Sequence, residues 1–154
     1  MQKPKVAFVV GHAQWGKSKT LRALTNESYR QRRCLIGGVE FFIRRMSNDD
    51  NPKSFVKLME TIDPTVEPNI IAALCPNFQN KEAATEAVLA ALRKKGYHLF
   101  FWVMVNQYGT NAVIAAKDIS RLRTFGKVEV VSGVHEAESR AKKFKRFVSN
   151  VALG

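Results

Sequence analysis

The sequence predicts a three-layer α/β domain, with a mostly parallel sheet of about six strands, helices on both faces and one antiparallel hairpin at an edge. Three observations carry that expectation. Short apolar, β-branched runs alternate with segments of helical period along the chain. The pair Gly37-Gly38 divides two such runs at hairpin spacing. The run 99–105 is apolar at every position, as expected of a strand covered on both faces.

Taken in order, residues 5–10 form a β-branched and aromatic run stopped by Gly11, and 17–24 carry leucine and alanine at helical spacing. After a polar stretch, 34–36 and 39–43 are the two arms of the hairpin. Residues 47–52 are turn formers, and Pro52 suits the first turn of a helix reaching to about residue 62. Pro64 and Pro68 then break the chain before a buried-strand pattern over 69–74, which Pro76 ends. Residues 81–95 read as an amphipathic helix capped by Gly96. The apolar strand 99–105 follows, then a turn and a helix over about 111–125. Residues 127–131 make the last strand, and a helix over about 134–151 closes the chain with Ala141, Phe144, Phe147, Val148 and Val151 on one side and a basic series on the other.

A chain of 154 residues that is 45% hydrophobic fits one domain, spanning 1–154, with an ample core. Cys34 and Cys75 make no CxxC pair or disulfide framework, which suggests reduced thiols in a cytoplasmic protein. The apolar stretch near the N-terminus is too short for a signal-peptide core, and no run approaches the roughly 20 apolar residues that cross a bilayer. No membrane insertion is expected. The formal net charge of +12 attracts polyanions, so nucleic acid or an acidic protein is a candidate partner beside free nucleotide, although the same charge also serves solubility.

The chemistry concentrates in Gly11-His12-Ala13-Gln14-Trp15-Gly16-Lys17-Ser18, a match to G-x-x-x-x-G-K-[ST] set between a predicted strand and a predicted helix. Glycines let the backbone wrap phosphate oxygens, and amide N–H groups at the start of the next helix point at the anion. Lys17 is expected to bridge the β- and γ-phosphates, and Ser18 to offer its hydroxyl to Mg²⁺. All eight residues and Lys19 are candidate nucleotide contacts. Trp15 is expected to pack over the loop, and His12 either to meet phosphate or to fill a local hydrogen bond.

On this motif the chain resembles the P-loop NTPases, and its element order is similar to the small Ras-like GTPases. The resemblance implies ATP or GTP bound with Mg²⁺, and an acidic residue on the magnesium side after the second hairpin strand. Asp49 or Asp50 stands there, as a catalytic and metal-side acid; the segment 48–51 serves equally as a polar turn capping the next helix. The resemblance also implies N-K-x-D after the strand 99–105. Asn106 matches its first position, but its lysine and aspartate are absent, as is the glycine of a GTPase switch, so both motifs are degenerate and ATP is as well suited as GTP. The strand 69–74 ends in Cys75-Pro76-Asn77 without a carboxylate. Thr25 and Ser28 are candidates for a further magnesium contact, and Arg44-Arg45 for a phosphate contact.

The resulting expectation is Mg-dependent nucleotide binding with hydrolysis. A small ATP-dependent kinase for an anionic acceptor is the alternative enzyme, and a non-hydrolysing component that docks nucleic acid or a protein is the alternative outside catalysis.

Overall fold

Strands form wherever the chain is β-branched and continuously apolar, and helices wherever apolar residues recur every three to four positions. The computed structural model describes residues 3–12, 15–26, 31–45, 48, 52–79, 84–105, 113–132 and 136–154. Along the chain run β1 (Lys5–Val10), α1 (Lys17–Ala23), β2 (Arg33–Ile36), β3 (Val39–Arg44), α2 (Pro52–Thr61) and β4 (Asn69–Leu74). They are followed by α3 (Thr85–Lys94), β5 (His98–Met104), α4 (Ala116–Phe125), β6 (Gly126–Val131), α5 (Ala137–Phe147) and a π-helical turn over Val148–Ala152.

The strands make one six-stranded sheet in the order β2-β3-β4-β1-β5-β6. Only β2–β3 is antiparallel; the other four pairings are parallel. The fold is therefore α/β with a mostly parallel sheet and an antiparallel edge pair. Gly37 and Gly38 join β2 to β3 with φ of 58° and 78°, the left-handed pair that a two-residue hairpin turn needs. The hairpin does not lie beside β1, because β4 stands between them.

Helix placement follows from handedness. The connections β3-α2-β4, β4-α3-β5 and β5-α4-β6 all step in one direction across the sheet, while β1-α1-β2 steps the other way. Right-handed crossovers between parallel strands therefore put α2, α3 and α4 on one face; β2 runs antiparallel to β1, so the side taken by α1 is read from its packing instead. The contacts agree: α2 packs on α3 and α3 on α4, whereas α1 packs on α5. Trp102 meets Phe144 of α5 edge-on at 5.8 Å, and Phe8 stacks on Phe101 at 5.4 Å on the face opposite to Trp102. All six residues of β1 are buried, as the central strand of such a sandwich must be.

Two helix starts differ from expectation. The closing turn into α4 keeps residues 113–115 extended, since the β-branched Val113 and Ile114 stay near β5 and the Ile114 amide donates to the Val105 carbonyl at 2.7 Å. α3 begins at Thr85, after Ala84 adopts a left-handed φ of 50°. The last helix is broken after Phe147 by the π-helical turn, where the Leu153 amide donates to the Val148 carbonyl at 2.9 Å. Among the described residues no helix is long and apolar enough to cross a membrane. Both cysteines are buried, and burial pushes the Cys34 thiol up to about 11.

α4 passes into β6 with no intervening loop, and Gly126 pairs with Leu99 at the junction. Its backbone is extended, so the demand for glycine is spatial: a Cβ there would overlap the Leu99 carbonyl oxygen. Gly126→Ala is expected to cost about 2–3 kcal/mol, seen as a lower urea midpoint at unchanged slope. A wild-type midpoint would show that the β5–β6 junction yields freely.

Candidate functional site

β1 ends at a switch in chain direction. The chain leaving β1 turns to the α1 face, whereas the chains leaving its neighbours β4 and β5 turn to the other face. Such divergence opens a crevice beyond the carboxyl ends of the strands, where ligands of α/β sheets bind. The Gly11–Ser18 motif occupies this place.

The loop is fastened from both sides. The Gly11 amide donates to the Leu74 carbonyl of β4 at 3.1 Å, and a Cβ on Gly11 would press on the Met104 methyl of β5 at 3.1 Å and on the Trp15 Cβ at 3.3 Å. Trp15 is buried and meets the His12 ring edge-on at 5.1 Å, while His12 Nδ1 lies 3.8 Å from Cys75 Sγ. The tryptophan thus packs as a wall of the loop. Ala13 and Gln14 lie outside the described residues, as do Asp49, Asp50, Asn106 and Ser28.

Lys17 is buried, and its Nζ donates to the Gly11 carbonyl at 2.6 Å and the His12 carbonyl at 2.8 Å. The amine therefore lies inside the curl of its own loop. Gly16 has φ of 88°, which favours glycine, and a Cβ there would also come within 2.7 Å of Arg140 Nη2. Ser18 and Lys19 are exposed on the first turn of α1, whose leading amides have no acceptor within the helix.

Arg140, on α5, is the residue that motif reading missed. It is buried, its Nε donates to Thr20 Oγ1 at 2.7 Å, and the Thr20 hydroxyl donates on to the Gly16 carbonyl at 2.8 Å. The guanidinium thus covers the last glycine of the loop from the opposite end of the chain. Burial lowers its proton affinity from the ordinary value, yet a guanidinium stays charged at neutral pH. The signal was present in the spacing, because residue 140 stands four before Phe144 and seven before Phe147, on the apolar stripe of α5.

A second omission is Asn48. It is wholly buried beyond the end of β3; its Nδ2 donates to the Cys75 carbonyl at 3.1 Å and to Thr85 Oγ1 at 3.0 Å, and its Oδ1 accepts from the Cys75 amide at 2.7 Å. The side-chain amide extends the β3–β4 ladder by imitating a peptide group. Thr85 Oγ1 in turn donates to the Asn77 carbonyl at 2.9 Å, so one asparagine braces β3, β4 and the start of α3. Because β4 intervenes, the end of β3 is two strand spacings, about 9–10 Å, from the end of β1.

Other candidates are engaged elsewhere. Thr25 is buried at the end of α1, where its hydroxyl donates to the Arg22 carbonyl at 3.1 Å and accepts from Arg45 Nη2 at 2.8 Å. Arg45 also donates to the Gln31 carbonyl at 2.7 Å, and Arg44 to Ser54 Oγ at 3.1 Å. These groups join α1, β2 and α2 to the end of β3. Thr25, Arg44 and Arg45 thus brace the end of β3, and burial lowers the proton affinity of both arginines.

No protein-family model and no curated protein matches this chain.

Asn48→Ala strips both Cys75 backbone groups and Thr85 of their side-chain partner. The expected loss is about 3 kcal/mol in urea unfolding, since buried polar groups left unpaired cost about 1–3 kcal/mol each. A loss below 1 kcal/mol would show that water replaces the amide at this junction.

Proposed function

We propose that this chain is a P-loop nucleotide-binding protein that holds ATP or GTP with Mg²⁺ on Gly11 to Ser18 and hydrolyses it. One observation carries the proposal: a loop of sequence G-x-x-x-x-G-K-S stands at the switch point beyond the central strand, with its lysine buried inside it and a buried arginine over its last glycine.

Each group has a role suited to its place. The Lys17 amine holds two neutral carbonyls, and phosphate oxygens in their stead would give charge-assisted bonds of about twice the strength. Arg140 adds a planar fork suited to the oxygens of a terminal phosphate, where negative charge must be stabilised during transfer. The first amides of α1 face the same anion. His12 and Trp15 line the loop and exclude water from one side.

The donor set fits magnesium bound together with nucleotide. Among the described residues no group of three or more His, Cys, Asp or Glu side chains forms a metal site. An ion here would take the exposed Ser18 hydroxyl, phosphate oxygens and waters, as magnesium commonly does. Magnesium neutralises phosphate charge in such sites. Sequence position assigns the outer acid to Asp49 or Asp50.

A specific observation favours a second reading, a nucleotide binder without turnover. The strands on either side of β1 run into Cys75-Pro76-Asn77 and Met104-Val105, with no carboxylate at either end.

Calorimetry with ATP and GTP, with and without Mg²⁺, separates these cases when paired with a phosphate-release assay. Lys17→Ala is expected to weaken nucleotide binding at least 100-fold, about 2.7 kcal/mol. Arg140→Gln is expected to slow phosphate release 10- to 100-fold with a smaller loss of affinity. Tight binding without release selects the non-hydrolysing reading, and ADP formation that needs an added acceptor selects a kinase. Folded wild-type protein that binds neither nucleotide overturns the proposal.

A further inference from the structure

The opposite end of β1 opens into a cavity of about 390 Å³, lined by Lys3, Lys5, His98, Phe100 and Lys127 and closed by residues 151–154. Its titratable side chains are all bases; Gly154, the last residue of the chain, is also in the lining and carries a carboxylate. Lys5 and His98 are register partners across β1 and β5, and Phe100 and Lys127 across β5 and β6. Side-chain alternation sets all four on one face of the sheet, the face covered by α5 and the turn that follows it.

Lys5 is the informative member. It is only 4% exposed, and its Nζ donates to two neutral acceptors, the Lys3 carbonyl at 2.7 Å and Asn69 Oδ1 at 3.1 Å. Among the described residues neither Lys5 nor Lys3, His98 or Lys127 forms an ion pair. Burial lowers the proton affinity of the Lys5 amine, as it does for an ammonium without a counter-charge. Basic side chains placed side by side across strands repel one another. An anchoring role for β1 accounts for Lys5 alone; it leaves unexplained why His98 and Lys127 line the same cavity.

We propose that this cavity binds a small, multiply charged oxyanion of the phosphate class, at a site separate from the Gly11–Ser18 loop. The volume is at the small end of ligand pockets and suits one or two phosphate groups rather than a whole dinucleotide. From Lys5 to Val10 the strand covers about 17 Å at 3.3 Å per residue, so one small anion cannot span both sites. The Lys5 amine supplies a buried cation with a preset direction, Lys127 and Lys3 supply charge at the mouth, and His98 supplies a ring N–H donor. The site stands whether or not the loop binds nucleotide.

The test uses the full chain carrying Lys17→Ala, which silences the loop lysine, titrated with inorganic pyrophosphate at fixed ionic strength. One binding event is expected, weakened at least tenfold by adding Lys127→Gln or Lys5→Met. Without pyrophosphate, Lys5→Met should unfold at a higher urea concentration than the parent, and pyrophosphate should raise the midpoint of the parent alone. Lys127 is exposed, so its variant remains decisive even if Lys5→Met fails to fold. Binding unaffected by Lys127→Gln, or none to the folded Lys17→Ala protein, overturns the proposal. So does a short single-stranded oligonucleotide that binds through Lys127 where pyrophosphate does not, because a nucleic-acid surface would then explain the charge.

Discussion

The rest of the molecule is organised by the burial of β1. Flanked on both sides by parallel strands, β1 cannot reach either neighbour through a hairpin, so crossover helices must cover both faces of the sheet. The direction of those crossovers decides which loops part company. The chain leaving β1 turns to the α1 face while those leaving both neighbours turn away, the arrangement at which α/β sheets bind ligands beyond their strand ends. A glycine-rich loop at that place has room to curl, and the packing that buries the strand also fixes the base of the loop.

The same strand explains where the buried charge resides. Among the described residues the buried charged side chains are Lys5, Lys17 and Arg140, all cations. Two stand at the carboxyl end of β1 and one at its amino end. Burying an ammonium or guanidinium costs several kcal/mol unless strong acceptors compensate it. At the loop, the acceptors include backbone carbonyls and a threonine hydroxyl. At the amino end they are a carbonyl and an asparagine amide. Both ends therefore combine a hydrophobic strand with cations that strengthen any bond to an oxyanion, because the local dielectric is low.

Much of this was legible in the sequence where the signal is local. Gly37-Gly38 fixes the hairpin because two successive left-handed residues are needed there, and the strand 69–74 is bounded by proline on both sides. The loop motif is local too. Strand order is not: β1, β4 and β5 are all continuous apolar runs, and nothing in their pattern tells which pairs with which. Position 140 lies between these cases, since its helical spacing marks it as inward while its type suggests solvent. Arginine on an apolar stripe is informative because burial has to be compensated. Asn48 was hidden for another reason: its neighbours make it look like turn composition, and only the β3–β4 pairing reveals that its amide serves as an extra rung.

That rung bears on how binding and turnover divide. On the proposed function, holding a triphosphate needs cations and amides, and the loop, α1 and α5 carry such groups on elements packed together. Cleaving it also needs a group that orients water or metal from the side. Neither strand next to β1 ends in such a group, and the end of β4 is committed to Asn48 through both backbone atoms of Cys75. On the proposed function, an acid following β3 in sequence would act across an intervening strand, through a water rather than directly on the ion. On the proposed function the phosphate grip and the acid belong to different parts of the sequence, so substitutions at Lys17 and at Asp49 or Asp50 should separate affinity from turnover.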